Sequence, residues 1–337
     1  MVTTVSHLRP LVDRFGRQME SLRVSVTDRC NFRCLYCMPE EGLPWLAVER
    51  VMSFDEIEYF ARIFVSLGIN EVRLTGGEPT LRAGLPDLVR RLAAIDGLGD
   101  LSLTTNGVLL KRLAGPLAEA GLRRLNVSLD SLNRERFAEL TRRDALDRVL
   151  EGLREVEKYP TLWPVKVNAV TMPGMSEDDI LEFCELARSR AYVVRFLEYM
   201  PLDAAGQWDL GQVMPGATVL EIVRRYFPLE PVVAEFGSTS RRWRFADGKG
   251  EIGFVNPVTE PFCAECNRLR LTADGQLRTC LFSTGDWDLL SALRAGASET
   301  DIVAMIREAV SQKEKKHRIN EGAAFVRPNR SMSQIGG

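Results

Sequence analysis

From residue 21 onward the sequence alternates short β-branched runs with amphipathic stretches, and this alternation restricts the fold more than any other feature. LRVSVT (22–27) precedes SFDEIEYFARIFVSLG (53–68), where Ser53 and Glu56 have capping-box spacing and Gly68 is a stop signal. EVRLT (71–75) leads to a helix at 85–95, LSLTT (101–105) to one at 107–121, RLNVSLD (124–130) to one at 148–159, and VKVNAV (165–170) to one at 176–190. VVRFLEYM (193–200) ends the series, with a sixth helical stretch at TVLEIVRRYF (218–227). Strands and helices in this order predict a parallel sheet with right-handed crossovers. Six units are too few to close an eight-stranded barrel. The expected class is therefore α/β: an incomplete, laterally open (β/α)6 TIM-like barrel.

After residue 230 the texture changes. RRWRFADGKGEIGFVNP and RLRLTADGQLRTCLF each read as a hairpin around an Asp-Gly turn, followed by helical DWDLLSALRAG and TDIVAMIREAVSQKEKKH and a polar tail. With no long linker before it, this α+β region is expected to dock over the open side of the barrel. The expected division is an N-terminal extension (1–20), a partial barrel (21–230) and a C-terminal region (231–337).

Polar residues gather where the predicted strands end: Thr27 to Cys37, Thr75 to Pro79 (TGGEP), Thr104 to Gly107, Ser128 and Asp130, Lys166 and Asn168, Glu198 and Met200. The carboxyl ends of parallel strands form the ligand mouth in open and closed α/β folds alike. Turn chemistry alone explains one such end; six in register argue for a site.

The chain of 337 residues carries seven cysteines, and no apolar run approaches the eighteen or so that a membrane span needs. Without a secretory signal, clustered thiols in a cytoplasmic setting point to metal ligands rather than disulfides. A formal charge of −2 argues against bulk nucleic-acid affinity. Local arginines at Arg241, Arg242, Arg244, Arg268 and Arg270 suggest a phosphorylated small molecule, although solvated strand faces explain any one of them. Six cysteines form two triads: Cys30, Cys34 and Cys37, then Cys263, Cys266 and Cys280. Cys184 reads as a small core residue of an amphipathic helix.

Three soft thiolates suit zinc or an iron-sulfur cluster. Structural zinc needs a closed fourfold shell, and the only histidines, His7 and His317, are not adjacent in sequence to either triad. An iron-sulfur cube takes one protein ligand per iron, so three cysteines leave one iron open to a substrate atom. Zinc stays a minority reading for the second triad, whose Cys-x2-Cys with a distant third cysteine is common in zinc ribbons.

CNFRCLYC, a Cys-x3-Cys-x2-Cys run with an aromatic before the last cysteine, resembles the signature of the radical S-adenosylmethionine superfamily. TGGEP resembles that superfamily's loop for the methionyl amine. With DRFGR (13–17), LRVSVTDRCN (22–31), FCAECNRLRLTADGQLRTCLF and a terminal MSQIGG, the chain from about residue 13 onward is similar to the GTP 3′,8-cyclase family of molybdenum cofactor biosynthesis.

The resemblance implies a lyase that converts GTP to (8S)-3′,8-cyclo-7,8-dihydroguanosine 5′-triphosphate. It implies two [4Fe-4S] clusters, on Cys30, Cys34 and Cys37 and on Cys263, Cys266 and Cys280, and S-adenosylmethionine, which the first cluster reduces to release a 5′-deoxyadenosyl radical. Tyr36, Gly77, Ser128 and Met200 match S-adenosylmethionine contacts. Gly77 permits close backbone approach, although it could be merely a turn, and Tyr36 and Met200 could be core. Arg23, Arg73, Thr104, Lys166, Arg268, Leu269 and Arg270 match GTP contacts, with Arg195 as a further one. The second cluster would hold the guanine edge and the arginines the triphosphate, for which a guanidinium fork is suited. Arg23, Arg268, Arg270, Gly336 and Gly337 match residues needed for activity, the two glycines by reaching into the site.

Implied partners are GTP, an electron donor and a downstream cyclic pyranopterin monophosphate synthase, with neither nucleic acid nor membrane; a homodimer is compatible, and the cytoplasm is the expected location. Two rivals stay open here: a peptide-modifying radical enzyme with an auxiliary cluster, and a non-catalytic, zinc-stapled nucleotide-binding regulator.

Overall fold

The computed structural model describes residues 9–190, 192–234, 237–322 and 325–336. Each strand of the alternating series forms: β1 (Ser21–Ser25), β2 (Glu71–Thr75), β3 (Asp100–Thr105), β4 (Arg124–Ser128), β5 (Lys166–Thr171) and β6 (Val193–Glu198). Between them lie helices α1 (Phe54–Ser66), α2 (Leu85–Ala93), α3 (Leu110–Glu119), α4 (Arg134–Thr141), α5 (Leu146–Val156) and α6 (Glu177–Arg190), and α7 (Gly216–Tyr226) follows. The capping box at α1 is present: the Glu56 N–H donates to Ser53 Oγ, and the Ser53 N–H donates to the Glu56 carboxylate at 2.6 Å. Past the helix, Gly68 sits at φ +99°, a left-handed conformation that favours glycine. Helix α4 goes beyond the sequence expectation. It is only eight residues long and capped by Asn133, which accepts the Arg136 N–H at 2.9 Å.

The remaining elements are β7 (Leu229–Val232), β8 (Arg241–Phe245), β9 (Glu251–Val255), β10 (Arg268–Leu271), β11 (Gln276–Arg278), β12 (Trp287–Asp288), α8 (Leu289–Arg294), α9 (Glu299–Ser311) and α10 (Met332–Ile335). Both Asp-Gly hairpins are present, as β8–β9 and β10–β11. They do more than cover a gap. β10 pairs in parallel with β1 at one edge, and β9 pairs in parallel with β6 at the other. The parallel run becomes β10-β1-β2-β3-β4-β5-β6-β9, continued by β11 and β12 on one side and by β8 and β7 on the other. β9 and β10 do not pair with each other, so hydrogen bonds do not close the barrel. Among the described residues no helix is long and apolar enough to cross a membrane.

Strand side chains divide by period two. Leu22 and Val24, Val72 and Leu74, Leu101 and Leu103, Leu125 and Val127, Val194 and Phe196, and Leu269 and Leu271 all belong to the buried hydrophobic core, together with the inner faces of the helices. The alternate set includes Arg23, Arg73, Thr104, Ser128, Asn168, Arg195 and Arg270, which line a cavity on the concave side. Parallel strands covered on both faces normally read as continuous apolar runs. Here one face is polar because it encloses a site. Cys184 is fully buried in the core, as its sequence context suggested.

Candidate active site

The Cys30–Cys37 loop leaves β1 and is braced by the unexpected helix α4. The Arg33 and Leu35 N–H groups donate to the carbonyls of Thr141 and Leu140 at 3.0 Å each, and Phe32 packs edge-on against Phe137 with ring centroids 5.8 Å apart. Arg142, in the left-handed region at φ +53°, donates to the carbonyls of Arg33 and Met38. The loop is therefore held before any ligand arrives.

The TGGEP segment locks onto the same loop. A Cβ on Gly77 would come within 2.4 Å of the Arg29 carbonyl oxygen and 2.5 Å of that of Asp28. The close backbone approach that requires glycine here is to the chain's own cysteine loop. Glu78 is buried and accepts from Thr105 Oγ1 at 2.6 Å and from the Asn106 N–H at 2.7 Å. Asn106 in turn donates to Asn31 at 2.7 Å, so the ends of β2 and β3 fasten the loop together. The Tyr36 hydroxyl donates to Asp130 at 2.7 Å, and Asp130 also accepts the Val170 N–H. Burial pushes the Asp130 carboxyl up to about 6.

The second triad is gathered from three places: Cys263 in a short 3-10 turn, Cys266 just before β10 and Cys280 just after β11. Arg17, from the DRFGR stretch, is buried beneath it. Its guanidinium donates to Asp13 at 2.6 Å, to the Cys263 carbonyl at 2.7 Å, and to the carbonyls of Glu314 and Lys315 at 2.6 and 3.0 Å. Lys313 is also buried and donates to the carbonyls of Arg268 and Thr279.

All six cysteines line the one cavity, as free thiols. Burial pushes the Cys30 thiol up to about 12 and the Cys37 thiol up to about 11, and raises Cys34 as well. Against burial, the charges of Arg268 and Lys313 pull Cys266 down to about 7. Among the described residues no three His, Cys, Asp or Glu side chains converge as a single-ion site. What fits a cluster is the donor chemistry: soft sulfur ligands, with every thiol but Cys266 pushed up by burial so that a metal's charge is what would hold these as thiolates.

The same cavity holds a concentration of positive charge. Arg270, Arg23 and Arg73 are direct register partners across β10, β1 and β2. Among the described residues no ion pair joins Arg23, Lys166, Arg195, Arg268 or Arg270 to a carboxylate. Arg73 pairs with Glu71 at 2.9 Å. Arg195 is held by Asn168 at 2.8 Å and Asn126 at 2.6 Å, both neutral. Burial, then the charges of Arg270, Arg73 and Arg268, lowers the pKa of Arg23 well below the ordinary arginine value. Burial and the neighbouring Arg195, Arg124 and Arg73 bring Lys166 down to about 8. Like charges aligned across neighbouring strands repel, so this row is arranged for an anion.

Tyr36, Gly77, Ser128, Met200, Thr104, Arg23, Arg73, Arg195, Arg268 and Arg270 all line the cavity. Lys166 does not line it and lies among the arginines at the next strand. The Leu269 side chain belongs to the apolar face of β10 and is fully buried in the core. Arg241, Arg242 and Arg244 also fall outside the cavity, where Glu260 and Glu251 take up their charge. Gly336 is buried, with its carbonyl accepting from Arg270 at 2.7 Å. Gly337 and His7 lie outside the described residues. His317, remote from the triads in sequence, lines the cavity alongside the second one. No local signal in EKKHRIN could have revealed this, because the approach depends on where α9 ends.

Known proteins agree with this arrangement. The Radical SAM superfamily model matches residues 24–187, and the Molybdenum Cofactor Synthesis C model matches residues 192–319. The GTP 3′,8-cyclase of Moorella thermoacetica is 44% identical over 327 residues, covering 96% of this chain and 99% of that protein. The GTP 3′,8-cyclase of Streptomyces coelicolor is 46% identical over 330 residues, covering 97% and 96%. Among solved structures, Streptococcus suis SuiB superposes with a TM-score of 0.60 at 15% identity, over 80% of this chain and 62% of SuiB, so the chain spans less than two thirds of that protein. Native anSMEcpe with bound AdoMet superposes with a TM-score of 0.59 at 14% identity, over 91% and 84%. These two likenesses are of fold. Full-length similarity to the cyclases, with the two family models dividing the chain between them, shows that it belongs to the GTP 3′,8-cyclase family of the radical S-adenosylmethionine superfamily.

Proposed function

We propose how this chain's residues divide the work of the cyclase reaction, in which GTP becomes (8S)-3′,8-cyclo-7,8-dihydroguanosine 5′-triphosphate in the first step of molybdenum cofactor biosynthesis. Cys30, Cys34 and Cys37 hold the [4Fe-4S] cluster of the superfamily, and Tyr36, Gly77, Ser128 and Met200 contact S-adenosylmethionine beside it. Cys263, Cys266 and Cys280 hold a second cluster and receive the guanine end of GTP. Arg23, Arg73, Arg195, Arg268 and Arg270 bind the triphosphate, with Lys166 adding charge, Thr104 a hydroxyl, and Leu269 no more than its backbone. The observation that carries this reading is that the Arg270–Arg23–Arg73 row and both cysteine triads line one cavity.

When bound, the first cluster and S-adenosylmethionine supply the one-electron chemistry that removes hydrogen from C3′, after which C3′ joins C8 of the guanine. The protein's part is position. A ribose carbon must be presented within a fraction of an ångström, and anchors at both ends of GTP meet that demand. Arg195 is pre-set by two asparagine side chains, so little side-chain freedom is lost when phosphate arrives. Arg270 is oriented by the Gly336 carbonyl, which gives the Gly336-Gly337 tail a direct route to influence the triphosphate. The redox step needs an external electron donor, and the product passes to a cyclic pyranopterin monophosphate synthase, both in the cytoplasm.

The test is to give the reduced, reconstituted protein S-adenosylmethionine with GTP or with ATP and to measure 5′-deoxyadenosine. Release with GTP and little with ATP is expected; equal release with either overturns the base assignment. Iron and sulfide analysis should return about eight irons per chain for two cubes, and zinc at the second triad would sink that part of the scheme.

A further inference from the structure

His317 lies beyond α9 and lines the cavity beside the second triad. Its ring meets Phe282 edge-on, with centroids 5.3 Å apart and planes at 65°. Its own backbone hydrogen-bonds Cys263, which fixes where the side chain starts. Both ring nitrogens are shielded from solvent; the ring faces the Pro257 carbonyl, yet neither nitrogen makes a well-aligned hydrogen bond. A neutral imidazole carries one donor and one acceptor, and leaving such groups buried and poorly met is costly enough that native structures supply a ligand or an ordered water.

The surroundings narrow the ligand. Phosphate is served by the arginine row on β10, β1 and β2. Around His317 the walls are aromatic, with Phe262 and Phe282 lining the same cavity. Aromatic walls with one donor and one acceptor suit the polar edge of a planar heterocycle. We propose that His317 is a purine-reading residue, hydrogen-bonding the base of GTP through a ring nitrogen and contributing to the choice of nucleotide. The inference rests on the reading that the base lies at Cys263, Cys266 and Cys280.

The test uses the cluster-loaded full chain and two variants. His317→Phe keeps a ring against Phe282 and removes both nitrogens; His317→Gln restores a donor and an acceptor. Dissociation constants for GTP and for inorganic tripolyphosphate are measured by equilibrium dialysis, with iron content as the check on assembly. The expected result is a GTP dissociation constant raised about tenfold in His317→Phe, which corresponds to about 1.4 kcal/mol, partial recovery in His317→Gln, and unchanged tripolyphosphate binding. Wild-type GTP affinity in His317→Phe overturns the proposal, as does equal loss of GTP and tripolyphosphate, which would mark a structural role. The underlying reading has its own readout: GTP added to the wild type should alter the EPR signal of the second cluster. If it does, and His317→Phe still binds GTP normally, only the histidine assignment fails; if it does not, the base placement fails and the assignment with it.

Discussion

Arg23 gives the sharpest test of the site, because one substitution is expected to move stability and binding in opposite directions. It has Arg270 and Arg73 as register partners on either side, and no ion pair joins it to a carboxylate among the described residues. Neighbouring strands lie about 4.8 Å apart. Two charges about 6 Å apart repel by roughly 3 kcal/mol at an effective dielectric of 20, whereas cross-strand like-charge pairs measured in proteins cost about 0.2–1 kcal/mol. The measured range is the safer guide, since Glu71 offsets part of the repulsion. Two such pairs then give about 0.4–2 kcal/mol of strain in the empty site. Arg23→Met keeps the length of the side chain and removes the charge. Without nucleotide, the melting temperature of the cluster-loaded protein should rise by about 1–3 °C, at about 1.4 °C per kcal/mol for a chain of this length. GTP affinity should fall roughly 10- to 150-fold, because a charge-assisted contact contributes about 1.5–3 kcal/mol. Anaerobic thermal scans with and without GTP, paired with equilibrium dialysis, read both effects. A variant that melts lower and binds GTP as the wild type does would refute the reasoning, since it would make the arginine row part of the scaffold rather than an anion site.

Lys166 predicts a pH signature. Burial, followed by Arg195, Arg124 and Arg73, lowers its folded-state pKa from 10.5 to about 8, so between those values the unfolded chain binds the extra proton and the nucleotide-free protein gains stability as pH rises. Thermal scans from pH 8 to 10 should show that gain and its loss in Lys166→Met, while GTP titrations in the wild type should weaken above pH 8 as the charge is lost. Gly336 sits at φ +83°, and an added Cβ would lie 2.6 Å from Thr75 Oγ1, so Gly336→Ala should displace the tail. GTP-dependent 5′-deoxyadenosine release should then fall at least tenfold with iron content unchanged; full turnover would show that the tail's seat is incidental. Arg17→Leu leaves the buried Asp13 without its partner and three carbonyls without a donor, a loss of about 3–5 kcal/mol. Iron should drop from about eight to about four per chain as the second triad loosens, and full iron would show that the triad assembles without this brace.

Much of the site was legible because its chemistry is local. Cys30, Cys34 and Cys37 sit on one loop and Cys263 and Cys266 on another, so their spacing marks them, and contiguous TGGEP is marked by its resemblance to the superfamily's loop. Leu269 stands between Arg268 and Arg270 in sequence, and period two turns its side chain into the core. Helix α4 escaped notice because eight residues with two apolar positions give a weak periodic signal, although it turns out to brace the first cysteine loop.

The sequence by itself determined the βα order, the two triads and the family, since each depends on residues close together along the chain or on short-period patterns. Only the tertiary structure decided that β9 and β10 join opposite edges of the parallel run, because pairing between strands far apart in the chain leaves no local trace. The same pairing sets Arg270 beside Arg23 and Arg73 and concentrates charge that is scattered in the chain. His317 is the clearest case. Along the sequence it is an ordinary polar residue after a helix, and only the docking of α9 and its following loop brings its poorly met nitrogens to the second triad.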